Sequence, residues 1–136
     1  MRHQVVTILA AGLLTVASAA AGADDCAENC DADRGARILA ESLRQLRYAE
    51  DFAPEEEKDA VYRRGKELAE RAVELIPDRA DAHYALFAHT GRLMSRAGVI
   101  PNPFNLFTLR RSLARALELD PDHPDALTAR GCMSRR

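Results

Sequence analysis

The sequence predicts an all-α protein of antiparallel helical hairpins stacked side by side, and two observations carry that prediction. Apolar residues recur at helical spacing from about residue 33 onward, and no segment alternates with period two for long. The stretches RAVELIPDRADAHYA (71–85) and RALELDPDHPDALTA (115–129) agree at nine of fifteen positions at an offset of 44 residues. The shared positions include the bend (Pro77-Asp78 and Pro121-Asp122) and both of its flanks. Two unrelated amphipathic helices would not keep these together, so a supersecondary unit is repeated.

In chain order, the first segment has the pattern of an export signal. Arg2 and His3 precede the uncharged stretch Val5 to Val16, Ala21-Gly22-Ala23 fits a small-x-small cleavage point, and Asp24-Asp25 follow. Residues 1–23 are expected to be removed, leaving no stable membrane anchor and a periplasmic or secreted protein. A retained anchor is the rival, weakened by the Ala, Gly, Ser and Thr content of the run. Residues 24–32 form a linker with Cys26 and Cys30, and residues 33–136 form the helical domain. In an oxidising compartment Cys26 and Cys30 are candidates for a disulfide with each other, or one of them with Cys132. A thiol-redox or metal role is the alternative. It is disfavoured because C-x-x-x-C is not the redox spacing and no second ligand pair with zinc spacing follows.

A first helix is expected from about Asp33 to Glu50, with Ile38, Leu39, Leu43 and Leu46 on one face. A second begins at Pro54 and the Glu55-Glu56-Glu57 run, because proline and acids suit a helix start. It buries Val61, Leu68, Ala69, Ala72, Val73 and Ile76, and Pro77 ends it. A third runs from Ala80 to Arg96 on Ala82, Leu86, Leu93 and Met94, and stops at Gly98. After a loop to Pro103, a fourth covers Phe104 to Leu119, and a fifth starts at Pro124. In each repeated unit the small Ala72 or Ala116 permits close helix approach. Pro77 or Pro121 forbids continuation, lacking an N–H and clashing with the preceding turn. Such a unit cannot bury its apolar face alone, so hairpins stack.

The segment ARALELDPDHPDAL resembles the junction between tetratricopeptide repeats. Ala72 and Ala116 match the family's small position late in the second helix, Pro77 and Pro121 its terminal proline, and Gly131 the glycine of the next first helix. His83 and Leu127 stand where the family has an aromatic, and Phe87 where it has glycine. The offset of 44 exceeds the family's usual length of about 34, which puts roughly ten extra residues around Gly98 to Phe104. The resemblance implies a short α-solenoid, incomplete at the C-terminus, because the fifth helix offers only Ala126, Leu127 and Met133 and lacks a pairing helix. The exposed face of that last helix is an expected surface for self-association. The long spacing is also similar to that of periplasmic accessory proteins of tripartite solute transporters, and to a eukaryotic mitochondrial and microtubule-associated repeat family.

Composition narrows the function. Formal net charge is −2, there is no Trp, and every basic residue except Lys58 and Lys66 is Arg. A nucleic-acid binder would carry a basic excess and stacking aromatics, so none is expected. No H-E-x-x-H, G-x-S-x-G or phosphate-cradling glycine loop appears, and neither enzyme activity, cofactor nor metal is expected. His83 and His89 are six residues apart and share no helical face; with His123 they are expected at the surface or in turns. Arg63-Arg64 and Arg110-Arg111 are expected to be solvated helix faces. The family resemblance implies that first helices line a concave groove for a protein or peptide segment, contacted by Arg37, Arg44 and Tyr48 on the first hairpin and Asp81, Tyr84 and Arg92 on the second. The alternative is an accessory of solute transport enclosing a small apolar or anionic ligand.

Overall fold

The computed structural model describes residues 21–98 and 103–134. The expected export signal falls mostly outside these residues. Five helices follow one another: α1 (Ala21–Asp51), α2 (Lys58–Leu75), α3 (Ala80–Arg96), α4 (Pro103–Leu119) and α5 (Pro124–Ser134). There is no strand among the described residues. Each helix packs on the next, and α1 also reaches α3.

The two repeated corners have the same backbone. At the first, Ile76 N–H donates to Ala72 O at 2.8 Å and Arg79 N–H to Ile76 O at 3.1 Å; at the second, Asp120 N–H donates to Ala116 O at 2.9 Å and His123 N–H to Asp120 O at 3.2 Å. Helices α2 and α4 end at Leu75 and Leu119, two residues before each proline. The residue ahead of a proline is pushed out of the helical region, so the break begins there. Ala72 and Ala116, and likewise Ala82 and Ala126, are completely buried. Each methyl group brings little transfer free energy, on the order of 0.8 kcal/mol. The seam therefore relies on close approach of the backbones, which multiplies dispersion contacts.

Two boundaries differ from expectation. Helix α1 begins at Ala21, so residues 24–32 are helical rather than a linker. Residues 54–57 form a turn and α2 starts only at Lys58: Glu57 N–H bonds back to Pro54 O at 3.0 Å. Arg96 explains the turn. Its guanidinium bonds the Asp59 carboxylate, the Glu55 carboxylate and, at 3.0 Å, the Glu55 carbonyl. The end of α3 is thus tied to the start of α2. Gly98, at φ +60°, terminates the α3 segment in the left-handed region that glycine adopts without strain.

Between α1, α2 and α3 lies a buried polar knot. Ser42 Oγ donates to Gly65 O at 2.8 Å, and His89 Nε2 lies 3.1 Å from Ser42 O. A carbonyl oxygen can only accept, so Nε2 carries the proton. The His89 ring is fully buried and rests on Gly65, where an added Cβ would come within 2.0 Å of it. Tyr62 meets the ring edge-on, centroids 6.2 Å apart. His89 Nδ1 finds no hydrogen-bond partner among the described residues. Burial holds the imidazole below its ordinary pKa, with the Ser42 carbonyl and Glu50 partly offsetting it. His89 is thus a neutral core residue, not the expected surface histidine.

Candidate functional site

Three helices leave an open groove of about 640 Å³. Helix α3 supplies one wall through Tyr84, Ala88, Gly91 and Ser95, spaced three or four apart and so aligned on one face. Helix α1 contributes Leu46 and Glu50, one turn apart. Helix α5 contributes Asp125, Thr128 and Cys132 at the same spacing, and Leu109 of α4 reaches in from behind. At the 44-residue offset Tyr84 corresponds to Thr128 and Ala88 to Cys132. The repeat therefore places equivalent positions of α3 and α5 along the groove.

Its charged groups are few. Arg92 pairs with Glu50 across α3 and α1. Tyr84 is half-buried, its ring 5.1 Å from His123 and 6.1 Å from Phe87. Burial raises its hydroxyl pKa, and the nearby Asp125 and Glu50 raise it further against the pull of Arg92. The wall at α5 is set by His123, itself buried at the corner. Ala126 N–H makes a long 3.4 Å hydrogen bond to His123 Nδ1, which caps α5 and leaves the proton on Nε2. Nε2 lies 3.2 Å from Asp81 Oδ1 at an angle that makes no hydrogen bond, a charge–dipole contact.

Of the residues expected to bind a partner, Tyr84 and Arg92 line the groove. Asp81 sits behind it, between Arg79 at 3.3 Å and His123. Arg37, Arg44 and Tyr48 are exposed but not brought to the groove, and Arg44 pairs with Glu41 on its own helix. The physical reason is register. Two residues along a helix turn through about 200°, so Arg44 and Tyr48 look away from the side that Leu46 and Glu50 present. Thr128 and Cys132 are readable from Tyr84 and Ala88 carried forward by 44, while Leu46 and Glu50 emerge only once the face of α1 turned toward α3 is known.

Other expected chemistry resolves simply. Cys30 and Cys132 are both exposed. The Cys26 side chain lies outside the described residues. His83 Nε2 lies 2.7 Å from Pro77 O, bracing the first corner. Among the described residues no cluster of three His, Cys, Asp or Glu side chains is placed to hold a metal, and no helix is long and apolar enough to cross a membrane. A smaller hollow of about 340 Å³ between α4 and α5, lined by Leu113, Leu117 and Met133, marks where their apolar stripes are uncovered. Compared with known proteins, the chain matches no family model, no curated protein and no solved structure.

Proposed function

We propose that the chain is an exported, non-catalytic interaction module of tetratricopeptide type, holding a protein or peptide segment in the groove between α1, α3 and α5. The groove carries this reading. It is an open hollow whose lining sets apolar Leu46, Phe87, Met94, Leu109 and Met133 beside polar Glu50, Tyr84, Arg92, Ser95, Asp125 and Thr128. The tetratricopeptide reading is supported by the two corners, alike in backbone bonding and in buried alanines at a fixed offset. Export rests on the pattern of residues 1–23. An open trough favours an extended segment over a small solute, which is normally enclosed over most of its surface.

A peptide-display selection on the full chain tests the proposal. Enriched peptides should lose binding to a Thr128→Trp variant, which fills the groove from an exposed position while leaving helical circular dichroism unchanged. No enrichment, or binding indifferent to that substitution, would remove the groove from consideration.

A further inference from the structure

We propose that the groove selects a segment presenting an apolar side chain beside a basic one; this rests on the interaction-module reading above. The groove's own charges lead there. Its charged lining residues are Glu50, Arg92 and Asp125. Glu50 and Arg92 are paired with each other, so their fields largely cancel outside the pair. Asp125 has no ion-pair partner among the described residues, and its exposed side chain stands on the first turn of α5 at the groove's edge. One uncompensated negative charge remains.

Around that charge the surface is suited to a mixed occupant. Leu46, Phe87, Leu109 and Met133 supply an apolar floor on which a leucine-sized side chain would shed its water. Tyr84 lies close enough to Asp125, Glu50 and Arg92 for each to act on its hydroxyl. A basic residue of the occupant can therefore reach Asp125 alongside the Tyr84 ring, whose face also attracts a cation. A segment ending in a carboxylate fares worse. The groove's arginine is already engaged by Glu50, and the remaining charge repels the newcomer. Like-charge juxtaposition is an effective means of rejecting a wrong partner.

Short labelled peptides titrated against the full chain, with fluorescence anisotropy as readout, test this. A peptide centred on Leu-Arg should bind roughly threefold to tenfold more tightly than its Leu-Glu or Ser-Arg counterparts, the range that one partly exposed charge pair or one apolar contact supplies. The preference over Leu-Glu should shrink in high salt. Asp125→Asn should weaken the Leu-Arg peptide. Arg92→Gln should strengthen it, because Glu50 is then released to add a second negative charge; an arginine that anchored the partner would give the reverse. Tighter binding of the Leu-Glu peptide, or weakening by Arg92→Gln, overturns the selectivity and leaves the interaction module standing. Binding of none of the peptides overturns both.

Discussion

Ser42, Gly65 and His89 lock the first three helices together, while the positions 44 residues further on hold Leu86, Leu109 and Met133. One unit thus carries a polar knot where the other carries three apolar side chains. The backbone corners beside them are alike, and so are the buried alanines. The difference separates two tasks. Proline and small residues set how the chain turns, and they recur. The side chains behind the turn set how firmly the next helix is held, and they are free to diverge. A hydrogen-bonded knot accepts one geometry, because any slip leaves buried polar atoms unpaired. In the second unit Leu86 and Leu109 are buried while Met133 stays exposed, so no comparable demand fixes the last helix. The α3 junction is therefore the rigid one. Helix α5, resting on α4 through Ala116 and Ala126 and capped by one long hydrogen bond, is the yielding one.

The largest expected effect breaks the rigid junction. Gly65→Ala places a methyl group where the His89 ring already stands, and should cost about 3 kcal/mol or more, read by urea unfolding followed by circular dichroism. An alanine at Gly131, on the yielding helix, meets no atom within 4 Å, and is expected to change stability little. Near-equal losses at the two positions would remove the contrast.

Acid sharpens it. The His89 pKa is depressed in the folded chain, so the unfolded chain binds the proton more readily. The stability contribution is complete above the ordinary histidine pKa of about 6.5 and is lost progressively as pH falls from there toward the folded value. Thermal midpoints should fall with pH in this window, and the slope should flatten in His89→Gln whatever that variant's absolute stability. A slope unchanged by the substitution would assign the acid sensitivity elsewhere. The smallest effect belongs to the second junction: His123→Ala removes the α5 cap and should cost roughly 1 kcal/mol. Hydrogen exchange should quicken in α5 and not in α1 or α2.

Much of the fold was legible in the sequence because its determinants are local. Pro77 and Pro121 placed the helix ends within two residues, and Ala80 to Arg96 was bounded as observed. The Pro54 start failed because Arg96, remote in sequence, holds Glu55 in a turn. Tyr84 and Arg92 could be found from the repeat register. Arg37, Arg44 and Tyr48 could not be judged without knowing which face of α1 meets α3. His89 was least legible of all. Its partners Ser42 and Gly65 lie on other helices, and nothing near His89 in the sequence marks it as buried.

The groove takes one side from α3, which the knot and the Arg92 and Arg96 ion pairs hold in register, and the facing side from α5. It resembles a vice with one fixed jaw and one adjustable jaw. Under the proposed function, segments of different girth would be gripped without disturbing the fixed side, at the cost of ordering the other. Tightness of fit would then be reported by the C-terminal helix, while the first hairpin stays indifferent to what is held.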